Sequence, residues 1–288
     1  MKRMYRVIYV VLLLVLSITG CGKSEDKNPP DTTEMTTSGE AVTGKQEEST
    51  GELRTESKGT EQTGTEALSG QITEAETEEG GTTMEAATLL YQGHASVRIS
   101  TPEGKTIYVD PFMGKGYDVP ADLILMTHAH YDHTKTDLIG TKSAECQTIS
   151  WKESIVDGQH QNFDLGYVKV EAVEAGYNRN HNEKECVGYI LTFSNGATLY
   201  LSGDTSTTPQ MSTLSGRNLD YAFFCCDGVY NMDVAEATEC ARLVGAKHSI
   251  PYHMVPSDNA NGFDRSVAEN LDVPGRIVLQ PGDELVLE

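Results

Sequence analysis

Apolar residues are distributed in three regimes along the 288-residue chain. Residues 7–16 form an almost unbroken apolar run behind Lys2, Arg3 and Arg6. Residues 22–86 carry few aliphatic side chains and no aromatic one. From Thr88 onward short apolar runs alternate with turn residues. Residues 89–100 (LLYQGHASVRIS) read as two strands joined by a Gly-His turn, and 105–110 (KTIYVD) as a strand ending at Asp110-Pro111. Residues 123–126 (LILM) form a buried strand. Residues 167–173 alternate, as do 187–193 and 197–201 around the turn at 194–196. Strands are also expected at 221–225, 249–252 and 277–280. Residues 233–244 place apolar side chains at helical spacing, with Asp233 as N-cap. Many strands with few helices predict an α/β sandwich rich in sheet.

The first regime has the charged start and short apolar run of a signal peptide, and the run is too short for a comfortable membrane span. Residues 18–21 (ITGC) follow it. They resemble the lipobox of bacterial lipoproteins, and the resemblance implies cleavage before Cys21 and a diacylglycerol on its thiol. An uncleaved anchor would leave the rest of the chain equally outside the cytoplasm. The expected organisation is therefore a signal peptide (1–20), a disordered Thr/Glu/Gly-rich linker (21–86) and a globular domain (87–288). The linker has too little apolar surface to offset chain entropy. As a fluid chain it would reach about 45 Å, at about 5–6 Å times the square root of its length. The expected localisation is extracytoplasmic, on a bacterial membrane.

Net charge is −21, and both the linker and the globular part are acidic. A cationic surface for phosphate backbones is missing, which argues against nucleic-acid scaffolding. A phosphodiester substrate remains compatible, because bound metal supplies local positive charge. Five cysteines follow Cys21: Cys146, Cys186, Cys225, Cys226 and Cys240. No CxxC pattern joins them, and they read mostly as small buried hydrophobes. Cys225 and Cys226 either face opposite sides of a strand or form a vicinal disulfide.

The chemistry sits in residues 127–133 (THAHYDH), directly after the 123–126 strand. An extended segment points His128 and His130 to one side. Asp132 and His133 follow as the chain turns. Three imidazoles and a carboxylate so close together suit Zn²⁺, with Mn²⁺ or Fe²⁺ as alternatives. This HxHxDH pattern resembles the signature of the metallo-β-lactamase superfamily, an αββα sandwich, over residues 88–288. The resemblance implies that Asp204, in the Gly-Asp after a strand, bridges two metals and that His253 is the last ligand. Gly93-His94 and Asp110-Pro111 resemble a subgroup with ascorbate-phosphate lactonase-like and N-acylphosphatidylethanolamine phospholipase D-like proteins. There the early His lies near the metals and the aspartate supports the loop behind the ligands. The superfamily's remaining His is displaced here. His181 is the candidate and Glu174 the substitute. His160 and His248 have no motif context. Asp227 and Tyr230 either line the pocket or belong to a plain loop before a capped helix.

The resemblance implies one metal on His128, His130 and His181. A second sits on Asp132, His133 and His253, with Asp204 between them. A water activated between the metals would attack a carbonyl carbon or phosphorus, with Asp132 orienting it. His94 would donate a proton to the leaving group or contact it. The expected activity is hydrolysis of a phosphodiester, lactone or related ester in a small-molecule or lipid-like substrate. A non-catalytic metal-binding surface lipoprotein is the other class, and β-lactam hydrolysis is a weaker option.

Overall fold

The computed structural model describes residues 85–288. The signal peptide, Cys21 and nearly all of the expected linker lie outside the described residues. Five strands open the domain: β1 (Ala87–Gly93), β2 (Ser96–Ser100), β3 (Thr106–Val109), β4 (Ala121–Met126) and β5 (Lys142–Ser150). A short helix α1 (Trp151–Ser154) and the hairpin β6 (Ile155–Val156) and β7 (Gln159–His160) lead to β8 (Asn162–Asp164). Next come β9 (Val168–Glu174), β10 (Val187–Phe193), β11 (Thr198–Leu201), α2 (Met211–Leu214) and β12 (Tyr221–Cys225). The chain closes with α3 (Val234–Val244), β13 (His248–Tyr252), α4 (Arg265–Glu269) and β14 (Glu284–Leu287).

Two six-stranded mixed sheets result, ordered β14-β1-β2-β3-β4-β5 and β13-β12-β11-β10-β9-β8. Period-two alternation explains how they stack. Ile107, Val109, Leu123 and Leu125 join one core with Val170, Tyr189, Leu191, Leu199 and Phe223. Tyr108 and Ile124, which alternate with them, form a separate cluster with Tyr117 and Ile139 on the outer face. Helices cover little: α3, capped by Asp233 accepting from Glu236 N, is the only described α-helix longer than five residues. It packs on α2 and β12.

Strand direction positions the site. β3 and β4 are parallel, as are β11, β12 and β13. β1 runs with β3 across the antiparallel β2, and β9 runs with β11 across the antiparallel β10. The C-terminal ends of β1, β3 and β4 therefore share one rim, and so do those of β9, β11, β12 and β13. Tyr189 of β10 ties the sheets beneath that rim, its fully buried hydroxyl donating to the Met126 carbonyl at 3.0 Å.

One expectation needs correction, and one open alternative is decided. Residues 277–280 are not a strand. Ile277 N donates to Ser249 O and one isolated bridge joins Ser249 to Arg276, so the run lies beside β13 without a ladder. The closing strand is β14 instead, on the edge of the first sheet. Cys225 and Cys226 form no disulfide: both are buried thiols, directed at the Thr205 and Tyr252 carbonyls.

Candidate metal centre

Each functional side chain follows a strand end on this rim. His94 comes after β1, Asp110 after β3, and residues 128–133 after β4. His181 lies beyond β9, Asp204 beyond β11, Asp227 beyond β12 and His253 after β13. Three of them turn the chain in the left-handed region: His94 (φ 54°), Asp110 (φ 45°) and His253 (φ 44°). Non-glycine residues seldom adopt it, at a cost of order 1–3 kcal/mol each. Backbone bonds hold the strained turns, with His253 N donating to His94 O (2.9 Å) and His94 N to Gly262 O (3.2 Å). Before Asp204 a glycine is needed: Gly203 has φ +61°, and a Cβ there would sit 2.6 Å from Val187 O.

His128, His130 and His181 bring ring nitrogens within 4.8 Å of one another, and His128, His133 and Asp204 bring two ring nitrogens and a carboxylate oxygen equally close. His94, Asp132, His133 and His253 form a third such group. The Asp204 carboxylate lies at the middle. Its Oδ1 is 3.3 Å from His133 Nε2, and its Oδ2 is 3.2 Å from His253 Nε2, 3.3 Å from His181 Nε2 and 4.0 Å from His128 Nε2. His181, not Glu174, sits in the cluster. Glu174 instead accepts from Gln210 N at the other side of β9. His160 and His248 lie on β7 and β13, outside it.

The imidazoles are presented in a consistent way. His133 Nδ1 is 2.9 Å from Asp110 Oδ2, and His181 Nδ1 is 3.2 Å from Asn178 Oδ1. Since both partners are acceptors there, each Nδ1 carries the proton and each Nε2 keeps its lone pair for the centre. Thr127 Oγ1, which donates to Asp110 Oδ2, accepts from His128 Nδ1 at 3.1 Å. His253 Nδ1 faces Asp227 Oδ2 at 3.4 Å. The hydrogen bonds to the Nδ1 atoms of His128, His133 and His181 fix the orientation of those three rings.

A cation fits this arrangement. His128 Nε2, His133 Nε2, His253 Nε2 and Asp204 Oδ1 are buried without a hydrogen-bond partner. The contacts among them, though as short as 3.2 Å, lack hydrogen-bond alignment. Each orphaned polar atom costs about 1–3 kcal/mol. Four of them in one cluster are explained by divalent cations bound among them.

Without metal, opposite charges pair within the cluster. Burial would lower His133, but Asp204 and Asp110 on either side hold it well above the ordinary imidazole value. Burial would raise Asp204, but His253 and His133 hold it well below the carboxylate range. His128 moves the other way: burial, then the neighbouring His133, lowers it well below. The dense charge of this cluster is what a cation would reorganise.

Above the centre opens a cavity of about 390 Å³. His130, Asp132, His181, Asp204 and His253 form its floor, and Tyr131, Tyr230, Asn180 and residues 256–258 its walls. Tyr230 is 50 % exposed on this wall, whereas the Asp227 side chain is buried behind His253.

The beta-lactamase superfamily domain model matches residues 88–253. The chain belongs to the metallo-β-lactamase superfamily. It is 32% identical to a metal-dependent hydrolase of Geobacillus sp. (strain WCH70), over 69% of this chain and 99% of that protein. A metal-dependent hydrolase of Anoxybacillus flavithermus is 31% identical, over 57% of this chain and 84% of its own. Among solved structures, a candidate metal-dependent hydrolase from Parabacteroides distasonis superposes with a TM-score of 0.54 and 26% identity, covering 67% of this chain and 92% of that one. The protein is a metallo-hydrolase of this superfamily, which sets aside a purely metal-binding lipoprotein.

In this hydrolase His94 lies beside Asp132. It is fully buried, lies off the cavity surface, and directs Nε2 at Asp132 Oδ2, 3.2 Å away. Burial, then His253 alongside, lowers His94 to about 4, so at neutral pH the ring is uncharged and its single proton lies on Nε2, facing the carboxylate. Burial would raise Asp132, but this hydrogen bond and His133 hold it below its ordinary value. Sequence reasoning missed Asn231 altogether. Its Nδ2 donates to Asp204 Oδ2 (2.9 Å) and Asp227 Oδ2 (2.8 Å), and no motif marks it.

Proposed function

We propose that this hydrolase cleaves an ester-type bond, in a phosphodiester, lactone or related ester, of a small-molecule or lipid-like substrate. The observation that carries the reading is the set of unpartnered, buried ligand atoms beneath a cavity of ligand size, which two of their residues, Asp204 and His253, line. Two ligand sets are proposed: His128, His130 and His181, and Asp132, His133 and His253, with Asp204 shared. Zinc matches the imidazole-rich donor set, and manganese or iron would also be accepted. Bound there, divalent ions supply Lewis acidity that lowers the pKa of a water and neutralises negative charge developing on the substrate.

The chain's own groups do the rest. Asp132, facing the cavity, orients the attacking water and is itself held in register by His94. Asp110, Asn178 and Asp227 keep the imidazoles turned inward. Tyr131 and Tyr230 offer aromatic walls for the group next to the scissile bond. The 18–21 pattern supports lipid attachment at Cys21, which would tether the enzyme outside the cell. Lipid labelling lost in Cys21→Ser would bear that out, and unchanged labelling would remove it.

The test of activity is turnover by the metal-loaded protein on an aryl phosphodiester and a set of lactones, with Asp132→Ala as control. Metal-dependent cleavage lost in the variant establishes the reaction and selects its class. A folded, fully loaded protein that cleaves none of these refutes the ester reading.

A further inference from the structure

The turn after β12 carries more than a link to the next helix. Asp227 Oδ1 accepts from the backbone N–H groups of Val229 (2.8 Å) and Tyr230 (2.7 Å), which closes the turn. Its other oxygen faces His253 Nδ1. Asn231 then returns toward the site, and one side-chain amide nitrogen contacts two carboxylates, Asp204 Oδ2 at 2.9 Å and Asp227 Oδ2 at 2.8 Å. The orientation of the amide is fixed by chemistry. A flipped amide would set its carbonyl against two carboxylate acceptors. The same turn reaches the other ligand set, since Asn180 Nδ2 donates to the Tyr230 carbonyl at 2.9 Å, one residue before His181.

We infer that Asn231 is a positioning residue for the metal centre. Its amide pins Oδ2 of the shared carboxylate Asp204 and braces the carboxylate behind His253, so one side chain sets the ligands of both proposed sites. The inference rests on the two-site reading above. Without Asn231, Asp204 is free to rotate about its side-chain torsions, and two buried acceptors lose a donor.

The test measures metal binding without substrate. Zinc affinity of the full-length chain is determined by competition with a chromogenic chelator, beside the visible spectrum of the cobalt-loaded protein and the melting temperature of the metal-free protein. Asn231→Ala and the near-isosteric Asn231→Leu are compared with the parent. Loss of a support behind a ligand weakens metal binding by about 10–100-fold. That loss is expected in at least one site of both variants, with a changed cobalt spectrum and, because two buried acceptors lose a donor, a metal-free melting temperature lowered by a few degrees. Parental zinc affinity and spectrum in both variants would overturn the inference while leaving the two-site reading intact. A parent that binds fewer than two zinc ions would overturn both. If both metal-free variants lose cooperative unfolding altogether, Asn231 serves the fold and its positioning role falls.

Discussion

Asp110 Oδ2 lies 2.9 Å from His133 Nδ1, and the same carboxylate takes the Thr127 N–H at 2.8 Å and its hydroxyl at 2.7 Å. One buried side chain thus joins the end of β3 to the start of the ligand loop and fixes the ring that faces Asp204. Asp110→Ala is expected to lower zinc affinity by about 10–100-fold. It should also destabilise the metal-free protein by roughly 1.5–3 kcal/mol, since charge-assisted hydrogen bonds are lost inside the domain. Chelator competition and urea unfolding check the two effects separately. An unchanged zinc affinity would remove Asp110 from the support of the centre.

Asp132 has a different standing, because it faces the cavity and makes no contact that the fold requires beyond His94. Asp132→Ala should therefore unfold close to the parent and lose activity on any cleaved substrate by at least about 10²-fold, the low end of what a positioned proton-handling group contributes. His94→Ala is expected to act through the same carboxylate and to fall between the two. Steady-state kinetics on loaded proteins decide this, and an active Asp132→Ala protein would sink the proposed scheme.

How far the site was legible depended on whether its residues are contiguous. His128, His130, Asp132 and His133 share one short segment after an unmistakable apolar strand, so their grouping could be read directly. His181 is displaced because Asn178 builds a turn that accepts from the backbone N–H of Asn180 and His181 before the imidazole is reached, and turn geometry shifts a ligand without leaving a spacing rule. Asn231 was invisible, since an isolated asparagine near a helix start looks like ordinary turn chemistry. Among the strands, β5 escaped notice because most of its side chains are exposed and the alternation that marks a half-buried strand is absent. The opposite error befell residues 277–280, whose apolar run packs against the core as extended chain without a ladder partner.

Gly203 tests the backbone side of the argument. Its left-handed φ of +61° and the 2.6 Å approach of a Cβ to Val187 O leave no room for alanine. The carbonyl belongs to β10 and cannot swing away as a flexible side chain would, so the chain before Asp204 must shift. Gly203→Ala is expected to cost more than about 1 kcal/mol, above the usual gain from a stiffer unfolded chain. Because Asp204 follows directly, zinc affinity should fall as well. Chemical denaturation with and without zinc separates the two. A variant as stable and as tightly loaded as the parent would show that the turn tolerates a side chain.

Removing metal is the broadest test of the centre. Four buried ligand atoms lack partners in the chain itself, and the folded state alone gathers them, so an ion binds the native protein in preference to the unfolded one. At a free ion concentration about 100 times the dissociation constant this linkage contributes about 2.7 kcal/mol. For a domain of roughly 200 residues each kcal/mol moves the melting temperature by about 2–4 °C. Chelation should therefore lower the melting temperature by roughly 5–10 °C, and added zinc or manganese should restore it, whereas magnesium, which prefers oxygen ligands, should not. Scanning calorimetry on the chelated and reloaded protein measures this. Identical melting in both states would mean that the converging imidazoles hold no ion in the folded protein.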